Sequence, residues 1–400
     1  MFHFPPLRWL SRPRPDAPSP PRHFSLLDVG TDTVKVAVVQ VDEERVTVLG
    51  HSLAPTGGRD VTGGRAQAAA LASVVNTALQ EAEDATEARA GRKIVPDDAL
   101  FLLPERSLRG ACFTVKQQRA RPAEPITRKE LDALWERLLR LARQKLPALP
   151  GVGADWVPQT VTPAGLWLDG HLVNDPPGLQ GRSLSLSAYG TICRPAILRG
   201  LGQLAERLEV NIYRLVPASQ ALATIVPARD ALALNVGAGG TDICLIRRDA
   251  LIAARHVSLG GAFFTQAMSR AFRCPPADAE ALKVAFASQA LSEGDVELVR
   301  RSLQRPLRRW GEAAAEAVGA MLDGEAEAVL PAHLYFTGGS ALLPGLQASL
   351  LAALEEAGFP FQRSPETGNL GSSALPGFRN EPSGFRGLLF APVLSLARTV

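Results

Sequence analysis

Two stretches of the chain, set 207 residues apart with Asp28 against Asn235, have the same construction. FSLLDVGTDTVKVAVVQV starts at Phe24 and LALNVGAGGTDICLI at Leu232. Each is an apolar run, a turn of glycine and small polar residues, and a second apolar run. ERVTVLG adds a third extended run to the first copy and ALIAARHVSLGG to the second. A buried strand needs no glycines at its end unless the turn adopts angles that glycine tolerates best, or another group approaches the backbone closely. A supersecondary unit recurring at this spacing points to a duplicated α/β domain pair. In both copies the turn joins strand to strand, whereas P-loop and dinucleotide-binding turns join strand to helix. Two such tips facing each other across a cleft can grip a phosphate chain from both sides, with backbone N–H groups as donors.

A third piece comes late. LYFTGGSALLPGL, from Leu334 to Leu346, reads as an apolar strand that ends in Gly338, Gly339 and Ser340 and runs into a helix. A lone GGS says little; two glycine hairpins followed by a strand–GGS–helix say much more. An alanine-rich segment from about Arg65 to Glu83 and the stretch AFFTQAMSRAF have helical composition.

The totals exclude several classes. Four hundred residues suggest two or three domains, and 46% apolar with 21% charged residues is ordinary for a globular chain. A net charge of +3 does not by itself call for nucleic acid. Cys112, Cys193, Cys244 and Cys274 lie far apart with no metal-ligand spacing and read as reduced thiols. No apolar run reaches the roughly 18 residues needed to span a bilayer, and no signal-peptide pattern is present. An intracellular protein is the expectation. The first 22 residues, MFHFPPLRWLSRPRPDAPSPPR, mix aromatic and arginine residues before a proline-rich linker. They read either as a disordered tail or as a short segment that inserts into an anionic membrane surface.

These motifs resemble the actin-like ATPase superfamily. LLDVGTDTVKVAVV is similar to its first phosphate loop, LNVGAGGTDICLI to its second, and LYFTGGSALLPGL to its adenosine motif. VSLGGAFFTQAMSRAF followed by DAEALK resembles the nucleoside-binding segment. Within the superfamily, PITRKELDALWERLLRLARQKL and DWVPQTVTPAGLWLDGHLVNDPPGLQGRSLSLSAYGTI resemble the inserted subdomain of the bacterial cell-division family FtsA and its pilus-assembly relative PilM. The Pro-Gln, Asp-Gly, Asn-Asp-Pro-Pro-Gly and Gly-Arg-Ser-Leu series follows the FtsA order.

The resemblance implies a duplicated ribonuclease-H-like fold with two lobes about a nucleotide cleft. The first lobe would span 24–110 and 196–230, the inserted subdomain 111–195, and the second lobe 231–400 with a short partner-binding subdomain at about 275–330; residues 1–23 would stand apart. It further implies ATP and Mg²⁺ as cofactors, with slow or absent hydrolysis. Expected partners are the C-terminal tail of FtsZ, other division proteins, further copies of the chain and the inner membrane surface, with no nucleic acid. The location would be peripheral, at the cytoplasmic face of the division site.

Several residues acquire expected roles. Asp28 would hold Mg²⁺ through water and take part in catalysis, with an Asx-turn capping its own backbone as the alternative. Asn235 stands where the family carries an aspartate; it can bond metal-bound water but lacks the charge that holds a cation. Gly30, Thr31, Asp32 and Thr33 form the first turn; Gly237, Gly239, Gly240, Thr241 and Asp242 form its counterpart. Lys35 is a β-phosphate contact or a solvent-facing strand lysine. Gly260, Gly261, Glu280 and Lys283 would contact the nucleoside with Gly338, Gly339 and Ser340, while a surface ion pair is the alternative for Glu280 and Lys283. Gln220, in PASQALATIV, is the candidate for positioning the attacking water, or else an ordinary helix glutamine. Arg301, Arg305, Arg308 and Arg309, with Trp310 taken as exposed, suit capture of an acidic peptide, against the alternative of a solvated helix face.

The C-terminal SGFRGLLFAPVLSLARTV reads as the helix that closes the nucleotide-binding fold, leaving the N-terminal segment as the anchor candidate. Other readings are a PilM-like cytoplasmic scaffold and, less favoured, a sugar-kinase-like phosphotransferase, for which no substrate-pocket carboxylate motif is visible.

Overall fold

The structure, a computed structural model, describes residues 21–42, 45–59, 61–62, 65–322, 328–371, 378–379 and 387–400. The proposed N-terminal anchor thus lies outside the described residues. The first lobe begins with β1 (Arg22–Val29), β2 (Thr33–Asp42), β3 (Arg45–Pro55), α1 (Arg65–Asp84), α2 (Glu87–Ala90) and β4 (Asp98–Leu103). A separate block follows, with β5 (Leu108–Gln118), α3 (Arg128–Lys145), β6 (Val157–Leu168), β7 (His171–Leu172) and β8 (Ser183–Cys193). The chain then returns to the first lobe with α4 (Pro195–Arg207), β9 (Asn211–Pro217) and α5 (Ala218–Ala223). The second lobe holds β10 (Ala231–Val236), β11 (Thr241–Arg247), β12 (Ala250–Val257), α6 (Gly261–Phe272), α7 (Pro276–Ala287) and α8 (Glu293–Leu322). It continues through β13 (His333–Thr337), α9 (Leu346–Glu356) and β14 (Glu366–Asn369); β15 (Phe378–Arg379) and α10 (Gly387–Leu394) close the chain.

The two main sheets have one topology. In the first lobe the strand order is β15-β3-β2-β1-β4-β9, and in the second it is β12-β11-β10-β13-β14. Apart from the added β15, each is an antiparallel meander of three strands extended by two parallel ones. Register repeats as well. Asp28 faces Lys35 and Val29 faces Val34 in the first hairpin; Asn235 faces Asp242 and Val236 faces Thr241 in the second. β10 is buried through most of its length and β1 over the four consecutive residues Phe24 to Leu27, which is why they read as continuous apolar runs and not as alternation.

Four clusters of buried side chains hold the molecule together. One lies between the first sheet and α1 and α4, around Leu27, Val36, Leu71, Phe101 and Leu201. A second spans both lobes: Phe24 and Leu100 of the first, Cys244 and Ile246 of the second, and Phe390 and Val393 of α10. The C-terminal segment therefore packs between the lobes. The third cluster fills the second lobe between β10, β11, β13 and helices α6 to α9. The fourth belongs to the four-stranded sheet β5-β8-β6-β7 with α3 on its face. On α3 the buried set is Leu131, Leu134, Trp135, Leu138, Leu139 and Ala142, a helical stripe in which each full burial of a large apolar side chain contributes about 1.5–3 kcal/mol. Arg119, nearly buried, fastens the loops of this block. It pairs with Glu130 at 2.8 Å and donates to the carbonyls of Gly181 and Glu124.

Candidate functional site

Both glycine turns close in the same way: Gly30 N–H donates to the Thr33 carbonyl at 3.1 Å, and Gly237 N–H to the Gly240 carbonyl at 2.9 Å. Thr56 braces the first turn by donating its hydroxyl to the Thr31 carbonyl and its N–H to the Asp32 carbonyl. The second turn is braced by the start of α6, where the N–H groups of Gly261 and Ala262 donate to the carbonyls of Gly237 and Ala238. The two tips meet. A Cβ on Gly239 would lie 2.6 Å from Thr31 Oγ1, so glycine is what lets the tips approach. The GGS turn adds the third side: Gly338 has φ of +90° and packs against Asn235, while Ser340 N–H donates to the Val236 carbonyl at 3.1 Å.

Asp28, Gly30, Thr31, Asp32, Thr33, Lys35, Asn235, Gly237, Gly239, Gly240, Asp242, Gly338 and Gly339 all line one cleft. Thr241 is buried beside it, below the second turn. Charges are arranged differently on the two sides. Lys35 Nζ donates to Asp28 Oδ2 at 2.8 Å with both side chains largely buried, so this lysine is not the solvent-facing residue a strand position suggests. Across the cleft, Asp242 Oδ1 bonds His256 Nδ1 at 2.7 Å, and Asn235 Nδ2 lies 3.5 Å from Asp242 Oδ2.

Lys283 is buried on α7 and donates to Glu280 at 2.7 Å, to the Gly261 carbonyl at 3.0 Å and to Thr265 Oγ1 at 2.8 Å. The Gly261 backbone also packs against Ser340 Oγ. Lys283, Gly261 and Ser340 thus meet behind the second turn, although their sequence positions are far apart. Glu280 and Lys283 do form an ion pair, but with the lysine buried it is not an ordinary surface pair.

Two expectations change. Trp310 is fully buried, and its Nε1–H donates to Thr241 Oγ1 at 2.9 Å. It falls in phase with Val299, Leu303, Ala314 and Val318 on the core face of α8, so it supports the second hairpin from within and presents nothing to a peptide. Gln220 turns away from the cleft. Its side-chain amide exchanges hydrogen bonds with Thr160 on β6 at 2.8 and 3.1 Å, tying α5 to the inserted sheet. The arginines of α8 are exposed, and much of their charge is matched on the helix itself. Arg300 and Arg301 pair with Glu297, and Arg308 pairs with Glu312. Arg309 lies over the Phe263 ring.

Sequence reasoning missed three titratable lining residues: Glu105, Arg106 and His256. Glu105 is almost wholly buried just after β4, accepts from Ser219 N–H at 3.4 Å, and has its carboxyl pushed up to about 7, first by burial and then by the Asp242 charge. Arg106 donates to Thr31 Oγ1 at 3.1 Å. For Glu105 and Arg106 the local signal was a charged pair one proline after the apolar strand DALFLL, and it carries no chemistry by itself.

Comparison with known proteins agrees with the duplicated sheets. No family model matches the chain. Over 350 residues it is 24% identical to the cell division protein FtsA of Streptococcus pneumoniae, covering 81% of this chain and 72% of that protein. Among solved structures, the PilM–PilN type IV pilus biogenesis complex superposes with a TM-score of 0.63 at 18% identity, covering 94% of this chain and 97% of the other. The chain has an actin-like fold, with FtsA similar to it in sequence and PilM in structure. The ethanolamine utilization protein EutJ from Carboxydothermus hydrogenoformans shares the fold more distantly, with a TM-score of 0.51 at 16% identity and coverage of 98% and 93%.

The residues of this actin-like cleft suit a phosphate chain with a hydrated cation: two glycine tips, Lys35, Asp28 and Asp32 on one side, and Asp242 and Asn235 on the other. Among the described residues there is no group of three metal-ligating side chains, so a cation would depend on phosphate oxygens and water as well as Asp28. The cleft as it stands measures about 100 Å³, below the roughly 300–1,000 Å³ usual for a ligand pocket.

Proposed function

We propose that this chain is an ATP- and Mg²⁺-binding adaptor of the FtsA type. It self-associates at the cytoplasmic face of the membrane and links an FtsZ ring to other division proteins. One observation carries the nucleotide reading: the convergence of two register-matched glycine hairpins and the GGS turn on a single cleft. In this reading Lys35 contacts the β-phosphate, Asp28 and Asn235 bind the water around Mg²⁺, and Lys283, Glu280, Gly260, Gly261 and Ser340 lie toward the nucleoside. Nucleotide acts mainly as a structural ligand that sets the relation of the lobes, because Asn235 lacks the family's carboxylate and Gln220 is engaged elsewhere. The test is ATP affinity of the purified protein with and without Mg²⁺, read alongside phosphate release. Tight Mg²⁺-dependent binding with little release is expected; absence of binding would leave the hairpins as inherited scaffold and defeat the proposal.

For partner binding the reading keeps the exposed face of α8 but drops Trp310. Leu298 is 55% exposed and lies in helical phase with Arg301, Arg305 and Arg308, giving an apolar contact flanked by cations for an acidic-to-mixed peptide. Replacing Arg308 and Arg309 by glutamate should abolish binding of an FtsZ-tail peptide, and unchanged binding would sink the assignment. A membrane role would rest on the N-terminal segment; deleting residues 1–20 should then release the protein from anionic vesicles. Among the described residues no helix is long and apolar enough to cross a membrane.

The likeness to the PilM–PilN complex favours a second reading, a cytoplasmic pilus-assembly scaffold. Parallel pull-downs with an FtsZ-tail peptide and a PilN-type N-terminal peptide separate the two.

A further inference from the structure

Among the described residues, the carboxylates of Asp28, Asp32, Asp242 and Glu105 line the cleft. Asp28 is engaged by Lys35 Nζ at 2.8 Å and Asp242 by His256 Nδ1 at 2.7 Å. Asp32 lies on the exposed tip of the first turn. Glu105 is placed differently from all three. It is 4% exposed, and its Oε2 accepts from the backbone N–H of Ser219 at 3.4 Å, at the start of α5. Its chain neighbour Arg106 donates to Thr31 Oγ1 at 3.1 Å, which fastens the segment after β4 to the tip of the first hairpin. Asp242 and His256 line the same cleft from the second lobe. A cavity of about 690 Å³ adjoins the cleft and shares Glu105, Arg106 and His256 with it, which leaves ample room for water beside the carboxylate. Burying a carboxylate is costly, and one held at the edge of a cleft is a candidate for chemistry.

We propose that Glu105 is the proton acceptor for the water that attacks the γ-phosphate of ATP, the role that Gln220 does not fill. The inference rests on the nucleotide-binding reading above and assigns its slow turnover to one residue. Water from the adjoining cavity forms a bond to the γ-phosphorus as the bond to the β–γ bridging oxygen breaks, and ADP leaves with that electron pair. The proton of the water passes to the Glu105 carboxylate and from there to solvent through the cavity. A base is most effective when its pKa lies near the working pH. Burial and then the Asp242 charge push the Glu105 carboxyl up to about 7, with His256 acting against them. The other titratable groups whose charge acts on it, among the described residues, are Arg109 on β5, Tyr189 and Cys193 on β8, and Cys244 on β11. Burial raises Tyr189 and both thiols far enough to keep them neutral at pH 7.

The test is phosphate release by the full chain at saturating ATP and Mg²⁺, followed over hours from about pH 5.5 to 9, with ATP affinity measured alongside. The parent rate should rise as Glu105 ionises through about pH 7 and level off above it. Glu105→Gln should bind ATP within about threefold of the parent, release phosphate at least about tenfold more slowly, and lose the rise with pH. Glu105→Asp should retain the rise at an intermediate rate, and Glu87→Gln on the surface of α2 should match the parent. A second readout needs no nucleotide. Infrared difference spectra between about pH 6 and 8 should show a titrating carboxyl band in the parent that is missing from Glu105→Gln. Release by Glu105→Gln within about threefold of the parent, a parent that binds ATP but releases no phosphate, or absence of that band would each overturn the proposal. Absence of ATP binding by the parent would instead defeat the nucleotide reading, and this inference with it.

Discussion

The two hairpins of this protein share a register and differ in what surrounds it. In the first, Asp28 and Lys35 face each other across the pair and form a largely buried ion pair. In the second, the same register holds Asn235 and Asp242, and the charge partner is His256, supplied by the next strand. The carboxylate has thus moved across the ladder, from the β1 position in the first copy to the β11 position in the second. Below the tips, Val34 sits in an apolar core, whereas its counterpart Thr241 donates to the Leu259 carbonyl and accepts from Trp310. Turn geometry was retained through the duplication while charge and support diverged. One side of the cleft now offers a cation, and the other offers a carboxylate backed by an imidazole.

Breaking the support of the second hairpin should produce the largest effect. Trp310→Ala empties a buried site and leaves Thr241 without its donor. Chemical unfolding should show a loss of about 3–5 kcal/mol, in the range for large aromatic truncations. A loss below 1 kcal/mol would show that the second hairpin does not depend on α8.

Glu105 lies between the two sides and gives a pH-dependent effect. Its folded value of about 7 exceeds the ordinary 4.5, so folding is unpenalised below about pH 4.5 and loses stability as the carboxyl ionises toward pH 7. Glu105→Gln removes that loss. The variant should be more stable than the parent at pH 8 by up to about 3 kcal/mol, with the difference vanishing near pH 4.5. Thermal unfolding at the two pH values checks this, and a constant difference would contradict it.

Lys35→Ala removes the cation of the first hairpin and leaves Asp28 unpaired. ATP affinity should fall by about 10–100-fold, the scale of one charge-assisted contact. Affinity equal to the parent would remove Lys35 from the phosphate site.

The smallest effect sharpens the comparison most. Asn235→Asp places two carboxylates in facing positions. It should cost about 0.2–1 kcal/mol without divalent ions, and Mg²⁺ with nucleotide should recover that loss. A loss unaffected by Mg²⁺ would mean that no cation comes near this pair.

The duplicated architecture was legible in the sequence because its signal is local. Glycine turns between two apolar runs, found twice, and a strand ending in GGS specify strand pairing and close backbone approach without reference to distant residues. The cleft residues from Asp28 to Lys35 and from Asn235 to Asp242 came with that signal. Trp310 was misread because its immediate neighbours are arginines; its burial was carried by spacing from Val299 and Leu303, which local composition conceals. Gln220 looked available because nothing nearby in the chain announces Thr160, sixty residues earlier, as its partner.

The sequence by itself determined the two-lobed plan, since turn chemistry and apolar runs act over a few residues and recur in register. Only the tertiary structure decided the electrostatics. The pairing of Asp242 with His256, the burial that holds Glu105 near neutral pH, and the gathering of Arg106, Arg109, Arg194 and Arg255 around one cavity depend on packing separate segments together. Charge interactions depend on distance and burial, and neither is defined until the lobes and the inserted block have come together.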